Sequence, residues 1–534
     1  MSSASVFVQP IHPGLIAVVA AVMAACTASG GSDATSADAE STGGATTDAV
    51  TTGEESTAAP PTTSVASTDT GATTGEDSET GEGPAKNALW IPPTLSGTTF
   101  DLTLDKASKQ LLDGSATATY GYNGLDFWGP TLIMNRGDAV QMHVTNNLDD
   151  ETTTHWHGFH IPAVMDGGPH QPIAPGETWS PSFEIMNQAG TYWYHPHLHH
   201  MTQDQLTHGA GGLILIKDDE EAALALPRTY GVDDIPLILT SRRFDADSQF
   251  DLESAYGDYV LTNGVMDAQV TLPAQVVRLR LLNVETERAY DLGFSDDREF
   301  QVIATDGGLV NAPIPVTRMQ LYVGERVEIL VDLSDDPVGG SLALQAFNGG
   351  HPMGFPGGEP QQDGMFGSLL NNKTFDLLHI DVGAATDDPI TAVPATLANN
   401  TYWTEADVTA SRTLNITDDG PGTPFTFDGV GFDEATINQY VDLDAVEKWT
   451  ISNGMTFGHS FHIHDVQFKI VARSDGEVAD YEQGWKDVVR VPRNESVTFI
   501  AKFADFASPT DPFMYHCHMA THEDDGLMGQ FLVQ

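Results

Sequence analysis

Ten of the chain's nineteen histidines fall in four short clusters: HWH at 155–157, HPH at 195–197, HSFHIH at 459–464 and HCHMATH at 516–522. Successive side chains of a strand point to opposite faces, so the two histidines of an HxH unit face the same way. His155 with His157, His195 with His197, and His462 with His464 can each present two imidazoles to one metal cluster. In His516-Cys517-His518 both imidazoles take one face and the thiolate takes the other, so a single strand can serve two metal sites.

The rest of the chain agrees with a strand reading. After about Asn87 it alternates β-branched and aromatic residues with Gly, Pro, Asn and Asp turns, and long stretches of helical period are few. Three segments resemble one another: DAVQMHVTNN from 138, AQVVRLRLLN from 274 and DAVEKWTISN from 444, each with Val third and Asn tenth. Their starts differ by 274 − 138 = 136 and 444 − 274 = 170 residues, the size of a β-sandwich domain and larger than a solenoid repeat. Three related sandwiches in an all-β chain are therefore predicted. GTYWYHPHLHH (190–200) and DPFMYHCHMATH (511–522) further share Tyr-His-x-His, and both run on into a Gly-containing apolar strand. The middle segment has no such histidines, as expected of a triplication that keeps metal ligands only in its outer copies.

The first eighty-odd residues are of another kind. Residues 14–25 form an apolar run too short to span a bilayer but long enough for a signal-peptide core. It ends in Met-Ala-Ala-Cys at Cys26, similar to a bacterial lipobox, although residues 1–13 lack Lys and Arg. Export with a lipid anchor at Cys26, to the periplasm or cell surface, is the expectation, with plain secretion as the alternative. Thr27–Ala85 is built of Thr, Ser, Gly, Ala and acids, a composition that cannot offset the entropy of ordering. The expected organisation is a signal segment (1–26), a disordered linker (27–87) and domains at 88–218, 219–385 and 386–534. With 23 Lys and Arg against 75 Asp and Glu the formal charge is −52, which repels nucleic acid and anionic lipid. Two cysteines, Cys26 and Cys517, exclude a disulfide scaffold. A monomer is expected.

A thiolate at Cys517 with imidazoles at His459 and His522 is the donor set of a blue-copper electron-transfer centre, though zinc accepts the same ligands. The other eight clustered histidines match a group of three coppers that delivers four electrons to dioxygen. From about Asn87 to Gln534 the sequence resembles the multicopper oxidases, on these four motifs and on YNGLDFWGPTL, MDGGPHQPIAPGE, YVLTNGV, RLRLLN, IATDGGLV, GERVEILV and GWKDVV. The resemblance implies three cupredoxin-like Greek-key β-sandwiches and four copper ions. It makes His459, Cys517 and His522 the type 1 ligands and gives His155 and His462 to type 2. One type 3 copper takes His157, His195 and His518; the other takes His197, His464 and His516. It implies one-electron oxidation of a donor at type 1, passage through Cys517 to His516 and His518, and reduction of O2 to water. Asp166 matches a carboxylate that supplies protons near type 2, and Glu523 matches one on the type 3 side, both as catalytic acids.

Within the family, cuprous oxidases carry a methionine-rich insertion and an acid four positions before the first type 1 histidine. Here that position is Met455, and Val382–Phe427 contains no Met. Met353 and Met365 could offer soft ligands, but gap filling in a Gly-rich loop accounts for them. Phenols, aryl amines or bilirubin-like pigments are therefore the expected donors. Cuprous ion is the alternative, and a non-enzymatic copper-binding or interaction protein is the second. The remaining histidines, His199 and His200 among them, read as surface or supporting residues. Ten residues after Cys517, where many bacterial relatives place an axial Met, stands Leu527; a leucine has no donor atom, and Met528 is the competing axial candidate.

Overall fold

A computed structural model describes residues 86–418 and 425–534. The signal segment with Cys26 and nearly all of the linker lie outside the described residues. Six sheets pair face to face into three sandwiches. The first runs from strand Thr94–Ser96 to Gly212–Lys217, the second from Asp234–Arg242 to Thr374–Gly383, and the third from Ala410–Thr417 to Met528–Val533. Each closes on its own apolar core, centred on residues such as Leu102, Met142 and Trp156, then Leu279, Phe294 and Val331, then Trp449, Phe461 and Phe499.

The three similar segments occupy one topological position. Strands Ala139–Asn146, Val276–Asn283 and Val446–Asn453 each pair in parallel with the first long strand of their sandwich, Thr99–Lys109, Asp234–Arg242 and Ala410–Thr417. Each ends in a buried asparagine whose amide donates to one carbonyl of the following turn and one of a distant segment, while its Oδ1 accepts the N–H two residues on. In the first sandwich that residue is Asn146, not the expected Asn147, so the true offset is 283 − 146 = 137 rather than 136. Consecutive asparagines are indistinguishable by spacing alone; burial of the amide decides between them.

Packing also differs from the expected organisation at two seams. Asn87, the last residue within the linker bounds and the point near which the fold was expected to begin, is paired: strand Asn87–Ala88 lies in parallel on Ala268–Pro273 of the middle sandwich, and Leu89 and Ile91 pack on its core. At the other seam Ile390, Val393 and Leu397 pack with Val276, Ile303 and Leu309, so residues 390–398 lie on the middle sandwich's surface, while Tyr402 packs on Trp485 and Glu405 pairs with Lys448 of the third.

Strand Val276–Asn283 is buried along its whole length because both of its faces are covered. Val277, Leu279 and Leu281 point into the middle core, while Arg278 and Arg280 face the first sandwich. There Arg280 holds Asp234 with two arms, and Glu328 takes both arginines and the Thr191 hydroxyl. These ion pairs lie within the middle sandwich, and the Thr191 hydroxyl, donating to Glu328 and accepting from Arg280 Nη1, is the contact that joins them to the first. The first sandwich is thereby held so that its histidine strands meet the third.

Candidate metal centre

Strand His155–His157 pairs with Gly190–His195, setting His155 opposite His195, and strand His459–Ile463 pairs with Phe513–Cys517, setting His462 opposite His516. His197, His464 and His518 continue these strands past their last paired residue. His464 N–H donates to the Met514 carbonyl and His518 N–H to that of Ser460, which keeps the alternation going. All eight imidazoles are buried and meet at the seam between the first and third sandwiches. Rings stack across it in pairs, His155 on His464 at 4.0 Å and His157 on His462 at 3.9 Å.

Ring nitrogens gather into compact groups. Nε2 of His197 lies 3.2 Å from that of His464 and 3.0 Å from that of His516, which are themselves 3.4 Å apart. His157 Nδ1 lies 3.3 Å from His195 Nε2 and 3.1 Å from His518 Nε2. His155 and His462 complete the set: each donates its Nδ1–H to a backbone carbonyl, of Asp166 at 2.9 Å and Asp487 at 2.8 Å. Their Nε2 atoms are buried with no hydrogen-bond partner, lone pairs with nothing to accept from.

The second group is mononuclear in shape. His459 Nδ1 and His522 Nδ1 are 3.1 Å apart, and Cys517 Sγ lies 3.6 Å and 3.5 Å from them. His522 arrives on the short helix Ala520–Asp524, and Phe425 and Phe457 pack edge-on or tilted against the two imidazoles. Leu527, expected in the axial position, shares the apolar cluster of Cys517, Phe461 and Met519, whereas Met528 lies outside that cluster and is paired with His516 across the sheet.

Electrostatics make both groups metal sites in waiting. Burial, reinforced by neighbouring imidazoles, holds His157, His195, His462 and His464 well below the ordinary histidine range; His197 and His518 fall to about 3. Burial takes His522 to about 3; burial, opposed by backbone hydrogen bonds at Met519 and Ser460 and aided by Glu287 and Glu523, pushes the Cys517 thiol up to about 12. Neutral imidazoles are the metal-binding form, and a thiol so buried, with no lysine or arginine as an ion-pair partner, gives up its proton only to a cation held against it.

The two catalytic acids expected from the sequence both sit behind ligand rings. Asp166 Oδ2 is 2.5 Å from His464 Nδ1, and its Oδ1 is 3.4 Å from His155 Nδ1. Glu523 lies 3.2 Å from the Nδ1 atoms of His197 and His516 and accepts the Thr202 hydroxyl at 2.8 Å. Burial would raise the Glu523 pKa, but the two imidazoles outweigh it and hold the carboxyl below its usual range. As a carboxylate it anchors two rings.

Three residues with a place at the site were not picked out from the sequence. Asp487 backs His157 and His462, Arg326 of the middle sandwich grips Asp487, and Glu287, also from the middle sandwich, stands 3.9 Å from His522 Nε2 and accepts the Thr521 hydroxyl. Burial, aided by Glu359 and Asp525 and opposed by that hydroxyl, pushes Glu287 up to about 8. The signals were present, since Asp487 stands in GWKDVV and Arg326 in GERVEILV, but nothing in a strand pattern pairs them.

Comparison with known proteins agrees with this construction. Family models described as multicopper oxidase match residues 104–221, 251–348 and 405–534, one in each sandwich. The multicopper oxidase mco of Staphylococcus aureus is 30% identical over 84% of this chain and 93% of its own length. The cell division protein FtsP of Edwardsiella tarda is 32% identical over 84% of this chain and 93% of its own. Among solved structures, a laccase-like multicopper oxidase CueO from Ochrobactrum sp. superposes with a TM-score of 0.74 at 30% identity, covering 84% of this chain and all of that one. The McoA multicopper oxidase of Aquifex aeolicus gives 0.76 at 27% identity with the same coverage. With its histidine groups in place and 84% of its length aligned to such relatives, this chain belongs to the multicopper oxidase family.

Proposed function

We propose that the protein is a laccase-like oxidase that takes electrons singly from phenolic, aryl-amine or similar donors and reduces dioxygen to two waters with four electrons and four protons. The observation that carries this reading is the convergence of all eleven expected ligands into two buried groups joined by the sequence His516-Cys517-His518. In it His459, Cys517 and His522 hold the type 1 ion, His155 and His462 hold type 2, and the two compact histidine triplets hold the type 3 pair. The orphaned Nε2 atoms of His155 and His462 and the buried neutral thiol are donors that fit copper. Copper bound there supplies the one-electron redox change that couples single-electron donors to dioxygen.

The chain's own groups do the rest. Cys517 is covalently adjacent to His516 and His518, so the path between the groups is one residue in each direction. Asp166, behind His155 and His464, is placed to hand protons towards reducing oxygen. Glu523 keeps the His197 and His516 rings oriented through their Nδ1 atoms. Glu287 lies at the His522 edge of the type 1 group. Preference for organic donors over cuprous ion rests on Met455, which is buried in the third core rather than presented to a donor, in the position where cuprous oxidases carry an acid. Export, lipid attachment at Cys26 and a monomeric state belong to the same proposal.

Copper counted per chain, together with oxygen uptake on a phenol, bilirubin and cuprous ion, tests it. Four coppers and uptake with the organic donors are expected. One copper or none, without uptake, overturns the oxidase reading in favour of a binding or interaction protein. Four coppers with uptake on cuprous ion alone replaces the donor class and leaves the chemistry standing.

A further inference from the structure

Seven of the eight clustered histidines turn Nε2 towards the cluster; His157 turns Nδ1. A neutral imidazole has one lone pair, and whichever nitrogen donates its proton outward leaves the other free to bind metal. His155, His195, His462 and His516 donate from Nδ1 to backbone carbonyls, and His464 and His197 face the carboxylates of Asp166 and Glu523 with theirs. His157 reverses the pattern because its Nε2 faces Asp487 Oδ1 at 3.2 Å. The backbone carbonyl of the same Asp487 receives His462 Nδ1–H at 2.8 Å. One residue therefore orients a ring from each of the two sandwiches.

Asp487 is fully buried and is fixed in turn from the middle sandwich. Arg326 donates to it with both arms, Nη1 to Oδ1 at 2.5 Å and Nη2 to Oδ2 at 2.7 Å. The guanidinium also donates from Nε to the Thr191 carbonyl of the first sandwich and from Nη2 to the Asp306 carbonyl. Asp306 closes the ring by accepting the backbone N–H groups of Arg326, Asp487 and Val488. Gly158, directly after His157, leaves room for this arrangement: a Cβ there would lie 2.5 Å from Asp487 Oδ2 and 2.7 Å from Arg326 Nη2.

We propose that Asp487 is a positioning residue that selects the Nδ1-presenting form of His157, and that the copper-free middle sandwich, through Arg326, holds Asp487 in the geometry that does so. The middle domain is then a working part of the oxygen-reducing site and more than a spacer. The inference rests on the copper assignment above.

The test compares Asp487→Asn and Arg326→Lys with the wild type as copper-loaded full-length chains. An amide accepts without charge and can present its NH2 to the ring instead, and lysine supplies one donor direction in place of a fork. Copper per chain, the blue type 1 absorption and the fraction of copper visible by electron paramagnetic resonance are read together with oxygen uptake. Expected for Asp487→Asn is an unchanged blue band, copper lost from the histidine group or newly visible by resonance as the type 3 pair uncouples, and oxygen reduction slower by about 10–100-fold. Arg326→Lys should move the same readouts in the same direction by less. Either variant losing its blue band in proportion to its other copper shows a merely structural role and overturns the proposal. So does a folded variant with full copper, unchanged resonance and unchanged uptake. Should Asp487→Asn not fold, Arg326→Lys decides alone. A wild type short of four coppers counts instead against the copper assignment, so the two failures are distinct.

Discussion

In the Cys517 group all three donor atoms come from the third sandwich, and their surroundings are mainly apolar, Phe425, Phe457, Phe461 and Leu527, with Glu287 of the middle sandwich the one carboxyl among the described residues beside a ligand ring. In the eight-histidine group the first and third sandwiches contribute four rings each, and seven of the eight outward ring nitrogens face a carbonyl or carboxylate oxygen within 3.2 Å. The first group is shaped by packing and the second by polar backing. A single domain can hold its own ligands through its core, whereas a site assembled from two domains needs each ring orientation specified at the seam. Substitutions behind the rings should therefore be felt mainly in the histidine group, and substitutions in the apolar wall mainly in the Cys517 group.

The largest break in that contrast comes from the shared strand. Cys517→Ser is expected to abolish the blue absorption and nearly all oxidase activity while the histidine group keeps the three coppers proposed for it, since serine supplies no soft sulfur. Copper analysis with absorption spectroscopy checks this; a variant that stays blue and active refutes the ligand assignment. Asp166→Asn acts on the polar side alone. Oxygen reduction should slow by about 10–100-fold while reduction of the blue centre by donor keeps its rate. Stopped-flow measurement of the two half-reactions separates them, and equal slowing of both counts against the assignment.

A smaller effect probes the apolar wall. Leu527→Met should lower the type 1 potential and slow oxidation of high-potential phenols several-fold, while Met528→Leu changes the potential little, because Met528 lies outside the Cys517 cluster. Redox titration of the blue band decides; the opposite order would make Met528 the axial residue. The smallest effect concerns the seam. His160 Nδ1 of the first sandwich donates to the Asp465 backbone carbonyl of the third at 3.0 Å and lies 2.7 Å from the Asp465 carboxylate, while its Nε2 is 3.4 Å from Asp505. Burial would lower its pKa, but these partners overcome it and raise it to about 9. A folded-state pKa above the unfolded value gives a stabilisation fully present below about pH 6.5 and lost as pH rises through about 9. His160→Gln should therefore cost about 1–2 kcal/mol at pH 6.5 and almost nothing at pH 10, read as the gap between the two proteins' denaturant midpoints. A gap of the same size at both pH values would remove the ion pair from the account.

Much of this molecule was open to reading from its residues alone. Strand alternation is a local rule, so HWH, HPH, HIH and HCH declare pairs of imidazoles on one face before any fold is known, and the same rule sends Cys517 the other way. The three-fold strand pattern and the acidic, apolar-poor start are likewise local or compositional; sandwich number followed from the first, while the division of ligands among the metal ions came from the family resemblance. Tertiary structure decided what depends on docking. Which amide of Asn146-Asn147 is buried, that 390–398 lies along the middle sandwich, which nitrogen His157 offers, and that Arg326 and Asp487 stand behind it are set by contacts between distant parts of the chain. His157 and Asp487 are 330 residues apart in sequence. Periodicity carries no information across such a distance, because register and the angle between domains, fixed by buried ion pairs at their seams, determine which side chains meet.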